Sequence, residues 1–556
     1  MSLSQLGDLY WRTYLNNAPM VATQIGERSY DALLPPPTTE ADAQLAAVTA
    51  EIIAQAEAMD PSELDAEDRL SRQVLLDEAW KLHLGADRRG AEMVAGPLTG
   101  PHTVLLHSAS RTTVDGPDQA EAIASRYAKI PAYLGVRADR YRKGMKRGLI
   151  PAAIVVRHVI AQIDAYLATP IESDPFVNTR SLAPWDGEDD WRAELEELVA
   201  DDVRPAYGRY RDMLRDEVLP VAMPDDRPGL AHLDLGPKWY EDSIRLFTSL
   251  ALTGEEVHAI GLGEVERCWA EFGEIGASAF GLDDPADVID RLREDPSMRF
   301  ASAEEIIERS EEAIRRAEAA VGDWFNVFPS ATCVVQPVPA DQAPSLPPAF
   351  YAVGSEDGSR PGTFYANTHE AEKRDRFSAE AIAFHEAVPG HHFDRTIAQE
   401  LDGIPAFRRY ALAFSHAEGW GLYVERLADE MGLYSSDVDR LGMVTADMWR
   451  ACRLVVDSGI HALGWTRQQA IDFLTQKTPI SVEVIAQEVD RYISLPGQAL
   501  AYMIGKLHIE RLRRRAEETL GDAFEIKGFH DVLLVHGGLP LPVMEELVDE
   551  WVASVG

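Results

Sequence analysis

Apolar residues recur three and four positions apart along most of the chain, the spacing of amphipathic helices. ADAQLAAVTAEIIAQAEAM and AEDRLSRQVLLDEAWKLHL keep this period and are rich in strong helix formers. AEAIASRYAKIPAYLGVRADRYRKGM predicts continued helix, and IPAAIVVRHVIAQIDAYLA opens with Pro151, which a first helical turn tolerates. ATPIESDPFVNTR is a proline-rich polar break, after which DWRAELEELVADDVRPAYGRYRDMLRDEVLP resumes the helical period. Thr253 followed by Glu256 marks a capping-box start. Strand signals gather in one place, ATCVVQPVP and AFYAVGSEDGSRPGTFYANT, where β-branched and aromatic runs surround a Gly/Ser/Asp turn. The pattern predicts a mostly α protein, a large helical body with a small β-sheet. Three regions, 1–170, 171–340 and 341–556, are expected to form one continuous compact unit.

Composition narrows the partners. The chain has 92 acidic and 53 basic residues, a net charge of −39, which repels nucleic acid and anionic membranes and sets both aside. Its three cysteines, Cys268, Cys333 and Cys452, are far apart and give neither a disulfide framework nor a Cys-x-x-Cys metal spacing. No segment approaches the ~20 apolar residues of a membrane span. The amino-terminal residues lack the basic-then-apolar layout of a leader. A soluble cytoplasmic protein is the expectation.

Candidate chemistry begins at AFHEAVPGHHF, residues 383–393. His385 and Glu386 start an H-E-x-x-H zinc signature, but Pro389 stands where the second histidine belongs. Proline removes an N–H that the carbonyl of His385 would bond, and Gly390 permits backbone angles closed to other residues. In a straight helix His391 would lie about 240° around from His385, so the helix must break or bulge at Pro389-Gly390. Ser378 is the expected N-cap of the helix before the break. A loop-out of two residues would bring His391 to the position of the second ligand. His392 is the supporting group or alternative ligand. Glu386 beside the first histidine suits a base that takes a proton from water.

A third ligand is expected from SHAEGWGLYVERLADE, where Glu418 and Glu425 lie seven apart on one helical face within an apolar run. Buried carboxylates are seldom left unpaired. Glu418 is assigned as ligand and Glu425 as a group that orients a histidine. His416 lies on another face. Arg453, Asp457 and His461 repeat at four, either a surface ion-pair ladder or a buried network. In the second case His461, held by Asp457, is a candidate oxyanion donor. Tyr502, in PGQALAYMIGKL, is a second candidate, or else a core tyrosine.

HEAVPGHHF, EGWGLYVE, DSGIHALGWT and PGQALAYMIGKL together resemble the domain-of-unknown-function 885 family of bacterial proteins. The likeness extends upstream through YWRTYLNNAPMVATQIGERSYD and GTFYANT. It implies a zincin-like (gluzincin) core beside the small sheet, with a layout similar to thimet oligopeptidases and thermostable carboxypeptidases. It also implies one Zn²⁺ per chain on His385, His391 and Glu418, with Glu386 as base. The expected activity is a zinc-dependent peptidase hydrolysing short peptides. The alternatives are an amidase acting on a small non-peptide amide and an inactive peptide-binding protein. GTFYANT is expected to be an edge strand that pairs with extended substrate.

Overall fold

The structure is a computed structural model and describes residues 1–93, 96–340, 343, 346–355, 360–411 and 413–556. The Gly/Ser/Asp turn at 356–359 lies outside the described residues. The chain forms two compact units that divide at Trp239/Tyr240, not near 170 and 340. The first is Met1–Trp239 completed by Gly464–Gln468 and Asp490–Leu495; the second is Tyr240–Leu463, Gln469–Val489 and Pro496–Gly556.

The first unit is helical around a core that includes Ile123, Tyr127, Val156, Ile163, Phe176 and Tyr207. A short strand pair joins Thr113–Val114 to Arg180–Ser181 in parallel. Prolines cut the predicted helices into shorter ones. The segment 117–146 divides into Pro117–Tyr127 and Ile130–Lys146, with Pro131 in the first turn of the second. Pro151 lies ahead of its helix, Ala153–Ala168, and its carbonyl accepts the Met223 N–H. Around Pro205, a π turn at Val199–Val203 leads into the helix Arg204–Met213 and accommodates the missing N–H.

In the second unit the capping box of Thr253 and Glu256 opens the helix Gly254–Phe280. Beside it runs Asp437–His461, buried along nearly its whole length. A three-stranded sheet precedes the His-Glu segment. Gly362–Ala366 is its middle strand, parallel to Cys333–Pro337 and antiparallel to Ala349–Ala352. The expectation that GTFYANT forms an edge is therefore wrong: both sides of that strand are paired. Its residues are mostly buried, whereas the two edge strands are half-buried or exposed. Among the described residues, no helix is long and apolar enough to cross a membrane.

Candidate metal centre

The His385 helix, Ala379–Glu386, and the His391 helix, His391–Glu400, are separated by four residues containing a cis Val388–Pro389 peptide. Ser378 stands at the N-cap position of the first helix but makes no side-chain capping bond; it ends a 3₁₀ turn, Arg376–Ser378, that leads into the helix. At the break, Ala387 still bonds back to the Ala383 carbonyl, and the Gly390 carbonyl opens the next helix by accepting Asp394 N–H. Gly390 serves by its size. Its φ is −80°, but a β-carbon there would lie 1.9 Å from the His385 oxygen and 2.3 Å from that of Phe384. The break thus folds tightly over the end of the first helix, and the indole N–H of buried Trp420 donates to the Pro389 carbonyl at 2.9 Å.

This fold-back brings His391 to His385, with ring centroids 4.8 Å apart and planes at 84°. Helix Phe414–Glu430 supplies the third group. Glu418 Oε2 lies 3.6 Å from Nε2 of His385 and 3.6 Å from Nε2 of His391. Among the described residues this is the group of side chains suited to hold a metal ion, its candidate ligand atoms all within 4.8 Å of one another. Ligands at 2.0–2.2 Å from a tetrahedral zinc stand roughly 3.3–3.5 Å apart, so two histidines and one carboxylate at this spacing fit it. Gly421 makes room: a β-carbon there would meet the His385 ring at 2.7–2.9 Å.

The surroundings favour opposite charges at this point. Burial alone would lower the His385 pKa, but Glu418, Glu425 and the adjoining Glu386 outweigh it and raise it to about 10. Burial would raise that of Glu418, yet the two imidazoles beside it hold the carboxyl well below the usual range. Without a metal, the cluster holds a proton where a cation fits. Glu425, 2% exposed, accepts from Nδ1 of His385 at 2.8 Å. Glu386 directly follows His385 and is half-buried.

The other sequence candidates lie elsewhere. His392 turns away from the cluster: its Nδ1 lies 2.9 Å from the Tyr351 hydroxyl and 3.3 Å from that of Thr396. It ties its helix to an edge strand and is not placed as a ligand or as a support to one. His416 Nδ1 accepts the Leu539 N–H inside the core. Arg453, Asp457 and His461 are buried rather than a surface ladder, at 5%, 0% and 0% exposure. Asp457 accepts from the Tyr240 hydroxyl and the Gly497 N–H, and the His461 ring lies 5.4 Å from that of Tyr240. That enclosure favours a part in holding the helix end over one against substrate. Tyr502 is half-buried, its ring facing the guanidinium groups of Arg453 and Arg450. Reasoning from sequence missed the Trp420 peg and the space provided by Gly421. Both lie in EGWGLY, where a tryptophan between two glycines was the available signal.

The fold recurs in solved structures. A protein from Colwellia psychrerythraea, described as a candidate lipoprotein, superposes with a TM-score of 0.91 at 24% identity over 99% of each chain. One from Shewanella oneidensis, described as a candidate lipoprotein of unknown function, gives 0.77 at 17% identity over 98% of this chain and 99% of its own. Among curated proteins, none matches. Residues 19–548, nearly the whole chain and every element of the cluster, match one family, and the chain belongs to it: the bacterial proteins of unknown function, DUF885.

Proposed function

We propose that the protein is a zinc-dependent hydrolase of short peptides with a zincin-like core, in which His385, His391 and Glu418 hold the metal. The observation that carries this reading is the convergence of two imidazole Nε2 atoms and one carboxylate oxygen, next to Glu386. A zinc ion bound there would supply Lewis acidity, polarising a carbonyl and acidifying a water. Glu386 takes a proton from the attacking water and returns it to the leaving amine. Glu425 holds the His385 ring in one orientation through Nδ1. Iron or manganese would accept the same ligands, so metal identity is settled by analysis of the purified protein.

Substrate held as an added strand would use an edge, and Ala349–Ala352 is the edge tied through Tyr351 to the His391 helix. The protein is expected to retain about one zinc. Glu386→Gln should abolish hydrolysis of a peptide panel while leaving the metal content unchanged. Loss of metal in that variant, or undiminished turnover, would remove Glu386 from the role of base. The cytoplasm remains the proposed location; the description of two structural relatives as candidate lipoproteins makes fractionation of the native host the check.

A further inference from the structure

Arg450 of the second unit pairs with no carboxylate among the described residues. Arg450, on helix Asp437–His461, has its guanidinium carbon 5.2 Å from the Trp449 ring centroid and 5.7 Å from that of Tyr502. Its hydrogen bond is a long one, 3.4 Å, to the Ala446 carbonyl of its own helix. Its Nε is buried without a hydrogen-bond partner, and Arg450 forms no ion pair among the described residues. Neighbouring Arg453, stacked on the same two rings at 4.5 and 4.7 Å, is paired with Glu488 at 2.9 Å. In a chain with 92 acidic residues to 53 basic ones, a half-buried arginine left without a carboxylate is conspicuous.

Its place relative to the metal centre follows from helix register. Tyr502 lies on helix Ala501–Leu520, one turn before Gly505. A β-carbon on Gly505 would lie 2.8 Å from the Gly419 α-carbon, so the two backbones touch beside Glu418. One helical turn is about 5 Å, which puts the Tyr502 backbone on the order of 10 Å from that of Glu418. One turn further on, a buried bond of 2.6 Å from Lys506 to Asp447 fixes the Tyr502 helix against the Arg450 helix. An extended peptide spans about 3.3–3.6 Å per residue, so a few residues bridge the metal centre and Arg450.

We propose that Arg450, with Tyr502 beside it, binds the carboxylate of a short peptide substrate. This rests on the peptidase reading and names its substrate class: peptides presenting a carboxylate a few residues from the cleaved bond. Guanidinium groups grip carboxylates through paired N–H donors, and the flanking rings hold the group flat for that contact. Two sources share the chemistry, the free carboxy terminus and an acidic side chain.

The test is calorimetric binding of uncleaved peptides to the zinc-loaded full chain carrying Glu386→Gln, which separates recognition from turnover. Three matched peptides are compared: free acid, carboxy-terminal amide, and free acid with Asp replaced by Asn. At least one loss of carboxylate should weaken binding by about tenfold or more, the scale of a hydrogen bond to a charged group. Weakening by the amide identifies the terminus, and weakening by Asn the side chain. Adding Arg450→Gln should level the three affinities. Arg450→Lys, which keeps the charge but not the paired donors, should fall between and serves as the measured variant if Arg450→Gln melts early. Equal binding of all three peptides, or an unchanged ratio after Arg450 is replaced, overturns the proposal. Absence of hydrolysis by the unmodified protein, with the binding ratio intact, counts against the peptidase reading alone.

Discussion

At the scale of single residues, the candidate metal centre is shaped by small and supporting groups as much as by its three candidate ligands. Glu425→Gln leaves a side chain of the same size but a weaker acceptor for His385 Nδ1. Affinity for zinc should fall about 10- to 100-fold, measured by chelator competition. Gly421→Ala places a methyl group within 2.9 Å of the His385 ring, so zinc retention should drop even where the melting temperature changes little. Protons compete at the same place. His385 without metal has its pKa raised to about 10, so its proton stabilises the metal-free fold fully below about 6.5, and this contribution is lost as pH rises through 10. Metal must displace that proton, and the gain in melting temperature on adding zinc should therefore be larger at pH 8 than at pH 6. That Glu418 and Glu425 would meet a histidine was legible in the sequence, because residues seven apart share a helical face and apolar neighbours bury it. The surroundings of His392 and His461 were not, since spacing alone says nothing about which neighbour an imidazole meets once the chain has turned.

At the scale of elements, the break between the two histidine helices is the part that the sequence specified most clearly, with Pro389 and Gly390 written into it. The need for Gly390 is steric: a side chain there would strike two backbone oxygens that cannot move aside. Gly390→Ala should cost about 2–4 kcal/mol in chemical denaturation and abolish zinc binding together with it. Trp420→Phe keeps the ring packed but leaves the buried Pro389 carbonyl without its donor. A loss of about 1–3 kcal/mol is expected, with a weaker metal site. The small sheet was legible as strands but not as an order. GTFYANT has the composition of any strand, and only the pairing of Cys333–Pro337 with it in parallel, a long-range contact, puts it in the middle. Proline breaks in the helices were likewise visible as residues, while their outcome as a π turn or a new helix depended on packing.

At the scale of the whole molecule, stability should fall early on acidification. His102, His508 and His530 are buried, and burial lowers their pKa values to about 4, about 4 and about 3. Below about pH 6.5 the unfolded chain takes up protons at these positions that the folded chain refuses until pH 3–4. Stability should thus decline as pH falls from about 6.5 towards 4, measured as melting temperature against pH, with no compensating gain from these groups. The chain's helical character was plain from its periodicity, but the two-unit division was not, because it does not follow the order of the sequence. Residues Gly464–Gln468 and Asp490–Leu495 complete the first unit, where Asp490 takes bonds from His158 and Arg467, and the Arg467 N–H meets the Asp225 carbonyl. During synthesis, then, the amino-terminal half leaves the ribosome lacking two of its own pieces and must wait some 250 residues for them. Expression of residues 1–239 alone should yield an incomplete body prone to proteolysis, whereas adding 464–495 in trans is the natural attempt at rescue.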